Sequence, residues 1–436
     1  LRPERPKAEL FISVSVLFGV NVLNFYDRHV PGALLEPLRR EFELTDAQNG
    51  LLGSAFIWVY ALAGLPIGRL VDSWSRKKLL AAGVLVWSSL TAVSGLATNF
   101  AMLLVSRLGV GVGEAVCAPA GTSWLGDLFP PAQRSRALAS FMLAVPIGGA
   151  LGFSFTGPFA QAHGWRWAMV VAAAPALLLV PVLLRLPEPA RGATESAQAA
   201  VSRGSFLDLL RIPTLWWIIG SGALLNFAMY VLATFLPAFF SRVHGLSLAS
   251  SNLATAVVFL VGGVIGGLVG GQLGDVVIRR RKNGRLLAAA AIASLATPIA
   301  FLGLLQSPGS VVRAAVLLLV TYGALNTYYG FVYSAIQDVV APGLRGTAMA
   351  VYFLGMYALG GSYGPLVTGK LSDLLAHRLA AQAGAQVVGE AHRALGLQQA
   401  LLIVPAACLA LALVLYIGSR TIEGDMARRD TRTGGL

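Results

Sequence analysis

Four ionisable residues sit inside long apolar runs of this chain: Asp27 and Arg28 in one run, Arg107 and Glu114 in another. A charge at the centre of a bilayer costs about 2.5–3.5 kcal/mol on insertion scales, and such residues mark ion or proton relays and substrate paths. Arg107 and Glu114 are seven residues apart, two helical turns, so they share a face at about 10 Å along the axis. Gly109, Gly111 and Gly113 between them permit close approach of a neighbouring helix. Asp27 follows Asn24 on one face of its own run. The plain alternative for each residue is a buried ion pair that only fixes helix packing. Two acids and two bases at mid-depth are more than such a clamp needs, which points to ion coupling.

The elements that must hold these charges are membrane helices. Hydrophobic residues make up 56% of the 436-residue chain and charged residues 12%, against about 25% charged in a soluble domain. Apolar runs long enough to cross a bilayer recur throughout. They cover roughly 9–35, 47–70, 79–97, 100–127, 137–160, 166–185, 213–240, 248–274, 286–305, 310–338, 346–374 and 395–418. The short alternating segments of a membrane β-barrel do not occur, so the expected fold class is an all-α membrane protein of twelve transmembrane helices in two six-helix bundles. The expected boundaries are 1–186 for the first bundle, 187–212 for a linker, 213–420 for the second bundle and 421–436 for a tail. The first run lacks a small-residue cleavage site and reads as a retained helix. The connection near 376–394 has no evident role.

The formal net charge of +13 is distributed by side. With the N-terminus in the cytoplasm, the inside loops collect Arg76, Lys77 and Lys78, then Arg134 and Arg136, and later the run Arg279-Arg280-Arg281-Lys282. The positive-inside rule therefore puts both termini in the cytoplasm. Topology accounts for the basic excess, so no nucleic-acid partner is expected; the expected partners are the bilayer and a small-molecule or lipid substrate, with the chain acting as a monomer. Cys117 and Cys408 fall within runs and read as small apolar fillers. No metal-ligand spacing, nucleophile–base set or phosphate-binding loop appears, which argues against an enzyme, a metal site, a cofactor or ATP-driven transport.

The chain also says one thing twice. Gly68-x-Leu70-x-Asp72-x-x-x-Arg76-Lys77 returns as Gly271-x-Leu273-x-Asp275-x-x-x-Arg279-Arg280, and Asp127 to Arg134 returns as Asp338 to Arg345. The Asp spacings, 203 and 211 residues, nearly agree, as they do in transporters built from two parallel halves. Asp72, Arg76, Lys77, Asp127, Arg134, Asp275, Arg279, Asp338 and Arg345 are expected to form cytoplasmic gates, where a carboxylate can cap helix amides and pair with arginine.

The mid-helix charges are not repeated. Asn24-Phe25-Tyr26-Asp27 is answered by Asn226-Phe227-Ala228-Met229, and Leu318 stands twenty residues before Asp338 where Arg107 stands twenty before Asp127. Gating is then shared by the halves while ion coupling belongs to the first. The second half offers neutral stripes instead: Asn226, Tyr230 and Thr234, and Tyr322, Asn326, Tyr329 and Tyr333. Such stripes are more often packing core than ligand wall, and both readings stay open. A charged wall with Arg28 and Asn24 and an aromatic wall with Asn226, Tyr230, Tyr322, Asn326 and Tyr329 would suit an amphipathic substrate with an anionic head.

The doubled signature resembles the loop 2–3 and loop 8–9 elements of the major facilitator superfamily. Asn24-Phe-Tyr-Asp27-Arg28, Arg107-Leu-Gly-Val-Gly111-Val-Gly-Glu114, Gly126-Asp127-Leu-Phe-Pro130 and Ala144-Val-Pro146-Ile-Gly148 are similar to the spinster, sphingolipid transporter-like, family. Some of these pieces also occur in anion:cation symporters. The resemblance implies that Asp27 and Glu114 bind protons and that Arg107 holds Glu114 ionised or engages an anionic substrate. The chemistry agrees: burial favours a neutral carboxyl and a nearby guanidinium favours the carboxylate, so relative motion loads and unloads a proton. Arg28 would be a gate or anion contact. Gly157-Pro158 and Gly148-Gly149 stand in the wrong order for a drug-antiporter signature, which leaves antiport and symport open.

The expected function is proton-coupled secondary transport of an amphipathic lipid-like or related organic substrate by alternating access, with no cofactor beyond the coupling proton. Alternatives are a small organic-anion symporter and a multidrug efflux antiporter. Five of the 33 basic residues are lysine, a bias that suits a GC-rich bacterial source and hence a bacterial inner membrane.

Overall fold

The structure is a computed structural model that describes residues 7–191, 206–341 and 344–433, without the side chains of 7, 8, 131, 132, 134–136, 139, 206, 207 and 430–433. The expected gate residue Arg134 thus has its side chain outside the described residues, as does most of the linker. Among the described residues the secondary structure is helical, with no strand.

The helices are α1 (Lys7–Ala33), α2 (Leu35–Glu41), α3 (Asp46–Ser73), α4 (Arg76–Ser94), α5 (Phe100–Glu114), α6 (Cys117–Leu128), α7 (Pro131–Met142), α8 (Ala144–His163) and α9 (Trp165–Arg185). They continue with α10 (Phe206–Leu210), α11 (Pro213–Arg242), α12 (Leu248–Arg280), α13 (Gly284–Leu304), α14 (Val311–Val339) and α15 (Arg345–Gly355). A π-helical turn at Met356–Gly361 leads into α16 (Gly364–Gln382), then α17 (Glu390–Ala400) and α18 (Ile403–Thr433). The connection near 376–394 is a helical hairpin made from the ends of α16 and α17.

Among the described residues, ten helical runs are long and apolar enough to cross a membrane. The other two expected runs fall short for visible reasons. α4 opens with Arg76, Lys77 and Lys78, and the α15–α16 run carries Lys370 and Asp373 across its π turn. Both remain helical over bilayer length; the 19 residues of α4 reach about 28 Å.

Short polar signals start the helices where the charges need them. Ser75 accepts a hydrogen bond from the Lys78 amide at the head of α4, and Asn99 accepts one from the Met102 amide at the head of α5. The α5 ladder slips at Ala115 and Val116, whose amides reach back to the carbonyls of Gly111 and Gly113, and α6 restarts at Cys117. Glu114 is therefore the last residue of α5, beside a break in the helix.

Contacts divide the chain into two compact units. Unit 1 comprises 1–44, 55–199 and 248–256; unit 2 comprises 45–54, 200–247 and 257–436. In unit 1, α1 packs along α8, and α4 packs against α5 and α9. In unit 2, α11 packs against α18, and α13 against α14 and α18. Glycines allow the tightest approaches. A Cβ at Gly148 of α8 would lie 2.4 Å from the Val22 carbonyl oxygen, and one at Gly111 of α5 would lie 2.8 Å from that of Phe56.

Candidate functional site

Long side chains reaching between α1 and α5 gather all four mid-helix charges of unit 1. Asp27, Arg107 and Glu114 are 3%, 2% and 0% exposed, so the arrangement is sealed from bulk solvent. Thr91 Oγ1 of α4 donates to Asp27 Oδ2 at 2.8 Å, and Arg107 Nη1 donates to the same oxygen at 3.5 Å. Arg28 Nε donates to Glu114 Oε2 at 2.8 Å, and Arg28 Nη2 donates to Asn24 Oδ1 at 3.1 Å. The pairs are crossed between helices: each arginine answers the acid of the other helix.

This differs from the spacing argument, which placed Arg107 and Glu114 together on one face of α5. Arg28 holds Glu114, while Arg107 belongs to Asp27. The two acids still feel one another, Asp27 also feels Arg107, and Glu114 feels both arginines, so the four form one coupled set. Fully ionised, it is neutral, two negative against two positive, which is what burial at this depth requires.

Aromatic faces complete the enclosure. The Arg28 guanidinium lies 4.3 Å from the Tyr60 ring centroid and 4.6 Å from that of Phe25, and the Arg107 guanidinium lies 5.1 Å from that of Phe56. These cation–π contacts stabilise a guanidinium that has lost water. Two buried polar atoms, Glu114 Oε1 and Arg107 Nε, have no hydrogen-bond partner among the described residues. A buried acceptor left unmatched costs about 1–3 kcal/mol, and a proton on Glu114 would change that balance.

In unit 2 the expected neutral stripes divide into two kinds. Asn226 Nδ2 donates to the Gly222 carbonyl and Asn326 Nδ2 to the Tyr322 carbonyl, one helical turn back in each case. Tyr322 is buried and stacks on Phe259 with centroids 4.2 Å apart. Tyr230 and Tyr329 are half-buried within an aromatic cluster.

The doubled loop elements form one cluster in each unit. In unit 1, Arg76 is fully buried and donates to Asp127, the Ser123 carbonyl and hydroxyl, the Pro189 carbonyl and Glu188. Glu188 accepts from the Ser75 hydroxyl at 2.5 Å and the Arg76 amide at 2.8 Å. Burial opposes its ionisation, but hydrogen bonds from Ser75 and from the Arg76 and Lys77 amides outweigh that and hold its carboxyl below the usual range. Lys77 Nζ donates to the Leu186 carbonyl. Asp72 and Asp127 line a cavity of about 470 Å³ with Gly68, Pro119 and Thr122.

In unit 2 the partner of Asp338 is Arg285, which also lies 3.8 Å from Asp275. Arg345 donates to the Gln337 carbonyl. Sequence offsets matched Arg279 to Arg76, yet Arg279 ends α12 exposed, and the first turn of α13 supplies the arginine. The readable signal was the spacing to the acid: 51 residues from Arg76 to Asp127 and 53 from Arg285 to Asp338. Glu188 was hidden in what read as linker.

A second missed cluster lies within unit 2. Asp46 accepts from both terminal nitrogens of Arg242 at 2.8 Å each and from Ser372 Oγ at 2.7 Å. The Asp373 carboxylate accepts from the amides of Asp46 and Ala47, capping α3.

Comparison with known proteins places this geometry. The family described as the Major Facilitator Superfamily matches residues 17–365. An MFS-type efflux pump of Mycolicibacterium smegmatis is 32% identical over 407 residues, covering 93% of this chain and 92% of that one. Protein spinster homolog 1 of Homo sapiens is 30% identical over 400 residues, covering 83% of this chain and 73% of that protein. A crystal structure of a bacterial homolog to the human lysosomal transporter spinster, inward-facing and occupied, superposes with a TM-score of 0.83 at 26% identity, covering 94% of this chain and 97% of that one. The crystal structure of a D-xylose–proton symporter shares the fold, with a TM-score of 0.70 at 16% identity over 93% and 97% of the two chains. The chain belongs to the Major Facilitator Superfamily: it is a multi-pass membrane transporter similar to the spinster proteins, and not an enzyme.

Proposed function

We propose that this transporter is proton-coupled, with Asp27 and Glu114 as the proton-binding groups and Arg107 and Arg28 as the cations that set when each carboxyl is charged. The supporting observation is the crossed pairing, in which each acid is held by an arginine of the other helix. Any shift of α1 against α5 changes both pairs together, and a carboxylate separated from its arginine in a dry site takes up a proton. Proton uptake is then tied to helix motion, as alternating access requires.

The substrate class that fits is an amphipathic lipid-like or related organic molecule. The likeness to spinster proteins supports the lipid-like reading, and the efflux-pump relative supports outward movement of an organic substrate. We place the protein in a bacterial inner membrane with both termini cytoplasmic, following the distribution of its basic loops. Asp72, Asp127, Asp275 and Asp338, with Arg76 and Arg285, would govern opening at that side.

Reconstituted in proteoliposomes, the protein should move substrate in response to a pH gradient, tested across lysolipids, drugs and small organic anions. Asp27→Asn and Glu114→Gln should each abolish gradient-driven flux while the protein stays folded and monodisperse. Full pH-driven flux in both variants would refute the assignment. Transport of small carboxylates alone would favour the organic-anion alternative.

A further inference from the structure

Unit 2 contains an aromatic cluster whose members face two different environments. Tyr328 and Tyr352 are buried and bonded: Ser221 Oγ and Tyr328 Oη are 2.7 Å apart, and Tyr352 donates to Tyr328 at 3.4 Å. These rings are core. Tyr230, Tyr329, Tyr333, Phe353 and Tyr357 are only half-buried. Their rings meet in sequence, Tyr230 to Tyr357 at 6.3 Å, Tyr357 to Phe353 at 6.5 Å, Phe353 to Tyr333 at 5.8 Å and Tyr333 to Tyr329 at 5.4 Å. The planes are edge-on, stacked, edge-on and tilted in turn, so ring faces are presented in several directions.

A backbone irregularity builds this cluster. Tyr357 is the second residue of the π turn at Met356–Gly361. The turn is pressed onto α11, the helix that carries Tyr230: a Cβ at Gly360 would lie 1.9 Å from the Ala223 carbonyl oxygen. Only glycine allows that approach. π turns inside α-helices recur at functional sites, because they reset the direction of the side chains that follow.

The helices that carry these rings bring no formal charge to the cluster. α11 has no Asp, Glu, Lys, Arg or His before Arg242, α14 has none between Arg313 and Asp338, and the run between Arg345 and Lys370 has none. A carboxylate would meet the negative ring faces, with no cation supplied by these helices. A small inorganic cation would lose its hydration shell for too little in return. A large organic cation is weakly hydrated, and the negative faces of several rings attract it. We infer that Tyr230, Tyr329, Tyr333, Phe353 and Tyr357 form a subsite for a lipophilic organic monocation, of the quaternary ammonium or phosphonium class. The subsite rests on the transporter reading for its purpose, but its occupancy is an equilibrium property that needs no proton gradient.

The test is equilibrium binding to the full-length protein in lipid nanodiscs, with empty nanodiscs subtracted. Radiolabelled tetraphenylphosphonium and tetraphenylborate, alike in shape and opposite in charge, are measured separately. The phosphonium should bind saturably and at least about tenfold more tightly than the borate. Tyr357→Leu and Tyr329→Leu should each weaken phosphonium binding about tenfold, while Tyr357→Phe, which keeps the ring face, stays within about twofold. Equal affinity for the two ions overturns the subsite, as does unchanged phosphonium affinity in both leucine variants. If Tyr357→Leu does not fold, Phe353→Leu and the comparison of ions on the unaltered protein decide. Asp27→Asn should retain phosphonium binding. Loss of pH-driven flux with binding intact then concerns the coupling charges, and loss of charge-selective binding with flux intact counts against the aromatic subsite alone.

Discussion

Unit 1 holds four ionisable side chains at mid-helix, paired across α1 and α5; unit 2 holds neutral amides and aromatic rings on α11 and α14. At the basic-loop end the two units agree, each placing an arginine from the start of one helix on an aspartate at the end of another: Arg76 on Asp127 and Arg285 on Asp338. The loop clusters thus recur in both units, while the buried mid-helix charge set stands in unit 1. A motion needs matched hinges in both halves. Under the proposed proton coupling one path suffices, and a second mid-helix charge set would add desolvation cost without a second use.

The sharpest way to break this contrast is to unbalance the four charges. Arg28→Met leaves Glu114 buried without its guanidinium, and breaking such a pair costs about 3–5 kcal/mol. Thermal unfolding in detergent should show the largest loss of any variant considered, and adding Glu114→Gln should restore most of it. Failure of the second substitution to rescue the first would mean that Arg28 matters for packing rather than for charge. The same cycle on Arg107 and Asp27, 3.5 Å apart rather than 2.8 Å, should give a smaller coupling energy.

The second prediction asks how alike the loop clusters are. Arg76 has a fully buried side chain and several acceptors, whereas Arg285 is 12% exposed and pairs with Asp338 and, at 3.8 Å, Asp275. Arg76→Ala should therefore cost about 3 kcal/mol or more, and Arg285→Ala about 1 kcal/mol. Denaturant or thermal midpoints compare them directly. Equal losses would show that burial does not separate the two copies.

Much of this was legible beforehand. Asp27, Arg107 and Glu114 announce themselves because a charge within an apolar run has nowhere else to go, and the doubled Asp elements stand at the ends of such runs. Pairing was less legible. A seven-residue spacing places Arg107 and Glu114 on one face of an ideal helix, but it says nothing of Arg28, which reaches across from α1. Arg285 was obscured by the denser basic run at 279–282, since offset matching follows sequence while the contact follows the helix start. The π turn at Met356–Gly361 had no periodic signature, because one inserted residue is invisible against a uniformly apolar background.

The smallest expected effect concerns Glu188, an acid that follows α9 and caps α4 in unit 1. The segment after the last span of unit 2 instead sends a base, Arg429, to the Asp338 carbonyl. If both segments fasten their loop clusters, the fastening in unit 1 should depend on acid pH and that in unit 2 should not. Glu188 ionises below its ordinary 4.5 because its hydrogen bonds favour the carboxylate. A carboxyl depressed in the folded state stabilises fully above that ordinary value and loses its contribution as pH falls through the folded one. Glu188 is partly exposed at the rim of its cluster, so screening holds the effect to about 1 kcal/mol or less. The thermal midpoint of Glu188→Gln should lie slightly below that of the unaltered protein at pH 7, and the gap should close as the pH is lowered past 4.5. Arg429→Gln should show a gap that does not change over the same range. A pH-independent gap for Glu188→Gln would reduce the carboxylate to a neutral hydrogen-bond acceptor and remove this distinction between the units.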